Sequence, residues 1–178
     1  MYMPETIYND SKASRTQLLQ QRVTLREANK TDETFLVEVY ASTRVEEFSM
    51  LGWSEPQLRD FLKMQFDLQM KAYEMQFLGA AISIIELDGN AIGRLIVYRR
   101  EMETRLVDIA LLPLFRNQGI GTFLVAQLQR QAVEENKPVV LRVLRSNLKA
   151  IRLYEKCGFT ATESNQTHLT MTWGAGQK

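Results

Sequence analysis

Asp108-Ile109-Ala110-Leu111-Leu112-Pro113-Leu114-Phe115-Arg116-Asn117-Gln118-Gly119-Ile120-Gly121-Thr122 is the stretch on which the fold of this chain turns. A strand expected over Glu103 to Leu112, apolar in its last part from Asp108 to Leu112, is stopped by Pro113, which lacks the N–H that a ladder requires. A glycine-bearing turn then opens an amphipathic helix whose apolar face carries Phe123, Leu124, Leu128 and Val133 and which ends near Asn136, before Pro138. The first N–H groups of such a helix have no intrahelical partner, and Gly119 and Gly121 let an anion approach them without a Cβ in the way. Arg116 and the Gln118 amide can add side-chain donors. The turn has neither the lysine of a P-loop nor the third glycine of the dinucleotide fingerprint, so ATP and NAD fit it poorly.

Working outward, Ala81–Leu87 and Ala91–Tyr98 read as strands joined by the Asp88-Gly89-Asn90 turn. Further upstream, Arg22–Arg26 alternates as a short strand, and Thr31 with Asp32 starts a helix through Phe35, Leu36, Val39 and Tyr40. Helical stretches follow around Val45 to Leu51 and from Ser54 and Pro56 through Tyr73, a half expected to be lid-like. Downstream, Val139–Leu144 is an interior strand, Asn147 opens a helix closed by Gly158, and Phe159–Trp173 supplies two last strands. Residues 1–20 are polar and aperiodic except for Leu18 and Leu19, and are expected to form a flexible arm that docks by its end, leaving 21–178 as one domain.

Composition sets the bounds. The 178 residues are 45% hydrophobic and 24% charged, as for a chain with one sizeable core. A net charge of +1 gives no general pull toward nucleic acid or an anionic membrane, so any anion site must be local. The single cysteine, Cys157, excludes an intramolecular disulfide and leaves no zinc constellation. No apolar run is long enough to span a bilayer, and a reduced, cytoplasmic setting is expected.

The second deciding segment is Asn147-Leu148-Lys149-Ala150-Ile151-Arg152-Leu153-Tyr154-Glu155-Lys156-Cys157-Gly158-Phe159. With the turn at Arg116–Gly121 it resembles the GNAT superfamily of N-acetyltransferases, whose cofactor motif Arg/Gln-x-x-Gly-x-Gly/Ala and later Asn-x-x-Ala-x-x-Leu-Tyr-x-x-x-Gly-Phe helix recur here in order and spacing. The likeness is strong over Ala81–Trp173 and weak over Arg22–Tyr40. It implies an α/β (α+β) fold: a mixed, mostly antiparallel sheet of about seven strands, helices on both faces, and a splayed parallel pair where acetyl-CoA enters.

By the same resemblance Ile109, Ala110 and Leu111 would contact the pantetheine and acetyl groups, with a free N–H near Leu111 polarising the thioester carbonyl. Asn117, Gln118, Gly119, Ile120, Gly121 and Thr122 would surround the pyrophosphate, and Asn147 would cap its helix and bond the cofactor. Tyr154 lies about two helical turns beyond Asn147 and would return a proton to the departing thiolate. A tyrosine of pKa about 10 donates uphill to a thiolate whose acid has pKa about 8.5.

Many relatives place a glutamate at the positions of Arg105 or Arg142 to deprotonate the amine, and here both are arginines. Asp108, Glu46 and Glu47 remain as candidate bases, with Glu103 read as solvated. An α-amine of pKa about 7.7–8.0 is roughly a tenth neutral at pH 7 and needs less help than a lysine-like amine of about 10.4. The acceptor is therefore expected to be an amino acid, a peptide N-terminus or a small amine, bound by the insert Arg44–Tyr73 with Arg44, Trp53 and Tyr73. His168 is read as lying on a polar strand face and Cys157 as packing. A non-catalytic coenzyme A binding or sensing domain is the rival reading, and the C-terminal strands offer an edge that could support a homodimer.

Overall fold

The computed structural model describes residues 16–48 and 52–174. One sheet of seven strands organises them, in the order β1-β2-β3-β4-β5-β7-β6. The strands are β1 (Val23–Glu27), β2 (Ala81–Leu87), β3 (Asn90–Arg99), β4 (Thr104–Leu111), β5 (Val139–Leu144), β6 (Thr160–Ser164) and β7 (His168–Trp173). Only β4 and β5 run parallel among the described pairings. The β2–β3 hairpin turns at Asp88 and Gly89, whose φ angles of 52° and 79° give the left-handed pair that a two-residue hairpin uses.

Each face of the sheet receives its own helices. Phe123, Leu124 and Leu128 of α4 (Ile120–Glu134) and Tyr154 of α5 (Leu148–Lys156) pack with Val97, Leu106, Leu141 and Met171 in the larger core. On the other face Leu36 and Tyr40 of α1 (Glu33–Ser42) join Leu62 and Phe66 of α3 (Glu55–Gln76) over Ile84. The half expected to be lid-like is thus a packed layer. Alternation explains the split: Ile84 points to α1 and α3, while its neighbour Ile85 points to α4 and α5.

Local chemistry sets the helix starts. Asn29 caps a 3-10 turn, Lys30–Asp32, and Asp32 answers as the second half of a capping box before α1 begins. Ser54 and Gln57 do the same for α3. The short α2 (Val45–Phe48) lies between them. The expected helix to Leu51 reaches residues 49–51, which are outside the described set.

Residues 16–22 are helical, and Leu19 packs against the larger core, so the last part of the expected arm is an ordered element. Residues 1–15 lie outside the described set. No helix among the described residues is long and apolar enough to cross a membrane.

Candidate active site

The parallel pair comes apart. Thr104, Arg105 and Leu106 face Val139, Val140 and Leu141, and the register goes no further, although β4 continues to Leu111 and β5 to Leu144. A bulge at Val107 marks the point of departure, because Val97 pairs with Leu106 while Ile96 pairs with Asp108. The N–H of Leu112 bonds Ile92 O at 2.9 Å, so by antiparallel alternation the N–H groups of Ile109 and Leu111 point away from β3, toward the opening.

On its other edge β4 stays paired with β3 through Leu111, and the approach there is close. A Cβ at Gly93 would stand 2.3 Å from the Ala110 carbonyl oxygen and 2.8 Å from Leu111 Cδ2. Only glycine permits that contact. Sequence reasoning passed over Gly93, whose position inside an apolar strand was the available signal.

At the end of β4 the chain turns through a short 3-10 segment, Pro113–Phe115, into α4. Asn117 and Gly119 take φ angles of 60° and 81°, which bring the turn under the helix start. The first intrahelical bond runs from Phe123 N–H to Gly119 O at 2.9 Å, leaving the N–H groups of Ile120, Gly121 and Thr122 ahead of the ladder. Gly121 also lets α5 come close, since a Cβ there would meet Leu153 Cδ1 at 3.2 Å.

The side chains expected to assist the turn are engaged elsewhere. Arg116 Nε donates to Leu111 O at 2.8 Å, and its Nη2 donates to Ser42 O and Oγ at 3.0 and 2.9 Å, tying the end of β4 to the end of α1. Gln118 Nε2 donates to Leu114 O at 2.7 Å. The donors that this turn leaves open are therefore backbone N–H groups.

A cavity of about 340 Å³ lies at the mouth of the splay. It gathers Asp108, Ile109 and Ala110 from β4, Arg142 from β5, Asn147 and Tyr154 from the start and body of α5, Tyr40 and Arg44 from the first helical layer, and Tyr73 from α3. Asn147 Oδ1 accepts the Ala150 N–H at 3.1 Å, the expected cap. Leu111 packs against the larger core beside the cavity without lining it. A larger cavity of about 570 Å³, bordered by Glu33, Asp67, Glu74 and Phe77, lies on the far side of Tyr73 and holds neither Asp108 nor Tyr154.

Tyr154 is 8% exposed, and its ring tilts against Phe159 at 5.8 Å between centroids. Burial raises its pKa far above that of a free phenol, with the Asp108 charge and Cys157 adding to the effect. The group stays protonated throughout the neutral range and donates a hydrogen bond more readily than a proton.

The candidate acids separate. Asp108 lines the cavity, with Arg94 Nε donating to its Oδ2 at 2.7 Å. Glu47 bonds Arg44 at 3.1 Å with its side chain 58% exposed, and it does not line the cavity. Glu46 does not line it either. Arg105 turns to Glu103 at 2.9 Å, so Glu103 is an ion-pair partner rather than a solvated acid. Trp53 stacks edge-on to Phe61, outside the cavity.

The cavity wall also includes Arg94, Gln69 and His168, which lie outside the expected site residues. Arg94 is 2% exposed, lies within 5.9 Å of the Tyr40 ring and 5.8 Å of the Phe66 ring, and donates to Gln69 Oε1 at 2.8 Å. A charged residue within the apolar run Ala91–Tyr98, with an acid on the following strand, was the signal that sequence reading missed. Gln69 joins it, and His168, expected on a polar face, borders the same space beside Arg142.

These features match a known family. The model of the acetyltransferase (GNAT) family fits residues 25–159. The chain belongs to the GNAT acetyltransferase family. Solved GNAT structures share its fold at low identity. The PaiA N-acetyltransferase of Thermoplasma acidophilum, in complex with coenzyme A, is 17% identical with a TM-score of 0.62, covering 84% of this chain and 97% of its own. YncA of Salmonella typhimurium, with its cofactor acetyl-CoA, is 20% identical with a TM-score of 0.56, covering 88% and 96%. The N-acetyltransferase PseH of Campylobacter jejuni is 16% identical with a TM-score of 0.56, covering 86% and 99%. No curated protein matches the chain.

Proposed function

We propose that this GNAT chain transfers the acetyl group of acetyl-CoA to a primary amine by direct attack in a ternary complex. The observation that carries the reading is the single cavity at the splayed β4–β5 mouth, where unpaired strand backbone, Asp108 and Tyr154 converge. The backbone turn at Asn117–Thr122 suits the pyrophosphate, since its N–H groups are free and Gly119 and Gly121 leave room. The pantetheine lies along Ile109–Leu111, pairing with the N–H groups that β5 does not take.

The neutral amine attacks the thioester carbonyl, forming the C–N bond as the C–S bond breaks. The Leu111 N–H stabilises the carbonyl oxygen as it gains charge. Asp108 takes the proton released by the new ammonium, a role that suits its place in the cavity wall better than the outlying Glu47. Tyr154 holds its O–H toward the thiolate, stabilises it by hydrogen bonding and relays to it a proton from solvent as the C–S bond breaks, while Asp108 gives its proton up to solvent. Direct transfer uses no acyl-cysteine, so Cys157 has no chemical part.

Calorimetry with acetyl-CoA, followed by thiol release across a panel of primary amines, tests the reading. Tight binding together with amine-dependent thiol release is expected. Binding without release on any amine would assign the chain to coenzyme A sensing instead.

A further inference from the structure

We propose that the acceptor carries a carboxylate beside its reacting amine, as an α-amino acid does, and that Arg142 and Arg44 receive it. The inference rests on the acetyltransferase reading above and names the substrate class of the same site.

The charges around the cavity do not balance. Arg44, Arg94 and Arg142 line it against one acid, Asp108. Arg94 is committed: its Nε bonds Asp108, its Nη2 bonds Gln69, and its guanidinium lies against Tyr40 and Phe66. The two opposite charges offset each other within the wall. Arg142 enters no ion pair among the described residues, and the strand residue opposite it is Thr170, which is uncharged. Its other neighbour is His168, whose pKa is lowered by burial and by the Arg142 charge, so the imidazole is neutral at pH 7. Among the described residues Arg44 is ion-paired only with Glu47, three residues on along the chain and largely in solvent.

The coenzyme does not account for this surplus. No residue of the Arg116–Thr122 turn lines the cavity, so these arginines stand apart from the proposed pyrophosphate site. Nor is the positive field general to this side of the sheet. The neighbouring cavity beyond Tyr73 carries Glu33, Asp67 and Glu74 against Lys71.

A carboxylate suits the space, because a guanidinium offers it paired donors in a fixed fork. The same field acts on the amine. Fixed positive charges disfavour its protonated form, which raises the fraction able to attack. Two arginines thereby supply part of what a glutamate at either strand position would supply by removing a proton. An acceptor with a cationic side chain and no carboxylate would meet repulsion at both ends.

The test compares α-amino acids with their own carboxamides under saturating acetyl-CoA, in the intact chain and in the variants R142Q and R44Q. The acids should exceed the amides in kcat/KM by about ten- to hundredfold, the range for a charge-assisted hydrogen bond. R142Q should shrink that ratio about tenfold through the KM of the acid, whereas the control R130Q, on the exposed side of α4, should leave the ratio unchanged. Equal rates for acids and amides would overturn the proposal. A raised KM for acetyl-CoA in R142Q with an intact ratio would also overturn it, by assigning the arginine to the coenzyme. Transfer to no amine in the panel, despite coenzyme binding, would instead remove the acetyltransferase reading on which the inference stands.

Discussion

Arg94 Nε donates to Asp108 Oδ2 at 2.7 Å across the β3–β4 ladder, with the arginine side chain 3% exposed and the aspartate 23%. The pair joins the floor of the sheet to the wall of the cavity. One further guanidinium nitrogen, Nη1, is buried without a hydrogen bond, so the arginine depends heavily on its two partners.

Asp108→Asn should therefore destabilise the fold as well as slow transfer, because it strands a buried cation. The expected loss is about 3 kcal/mol, the lower end for breaking a buried pair from one side. Replacing both partners, as R94M with D108L, should recover much of that stability and none of the activity. Urea unfolding of the two singles and the double gives the coupling directly. A double variant as unstable as the sum of the singles would show that the pair does not act as a unit.

Gly93→Ala should be the most damaging of the simple glycine substitutions, since its Cβ would meet a backbone oxygen at 2.3 Å. Strand β4 would have to shift at Ala110 and Leu111. A loss of about 2 kcal/mol or more is expected, in the range for overpacking. Gly121→Ala meets only a side-chain methyl at 3.2 Å and should cost less. Thermal melts of the two variants decide the order.

Tyr154→Phe should keep acetyl-CoA affinity and lower turnover by about 10²-fold. Because the phenol is protonated well beyond neutrality, no descending limb of the pH–rate profile below pH 10 should belong to it. Equal turnover in the two proteins would remove the hydroxyl from the chemistry.

Alkaline stability should carry the mark of the buried Tyr154 and the half-buried Tyr73. Tyr73 is raised by burial, and next by the Asp108 charge, from 10.0 to about 12, and Tyr154 is raised further. The unfolded chain releases these protons near pH 10 while the folded chain keeps them, so stability is whole below pH 10 and falls as pH rises from there. The double variant Y73F/Y154F should flatten that decline. Denaturant midpoints from pH 9 to 11.5 measure it, and parallel declines in both proteins would refute the assignment.

Arg116 should matter for architecture more than for charge. Removing its bonds to Leu111 O and Ser42, as in R116Q, should lower stability by about 1–2 kcal/mol. R116K should restore little, since an ammonium cannot reproduce a guanidinium spanning two carbonyls. Full rescue by lysine would return Arg116 to a purely electrostatic role.

Backbone-determined features were readable from the sequence. Val139–Leu144 is apolar apart from Arg142 and is the strand with those bounds, and the Asp88-Gly89 turn and Ser54 cap lie where their chemistry requires. Long-range pairings were not readable. Nothing local says that Arg116 will reach Ser42, that Arg94 will meet Asp108, or that His168 will turn toward Arg142. These depend on which strands become neighbours, and the bulge at Val107 decides which face Asp108 takes. The end of the expected arm shows the same limit: Leu18 and Leu19 look alike in sequence, yet Leu18 is 53% exposed while Leu19 reaches the core.

The seam between β4 and β5 has three rungs, at Thr104, Arg105 and Leu106. On one bank stand Arg44, Tyr73, Arg94 and Asp108, and on the other Arg142, Asn147, Tyr154 and His168. The molecule is in this sense two half-sheets stitched at one end, with strand backbone left unpaired along the rest of the seam. A strand-like ligand laid along that length would restore the missing rungs and turn an interrupted sheet into a continuous one.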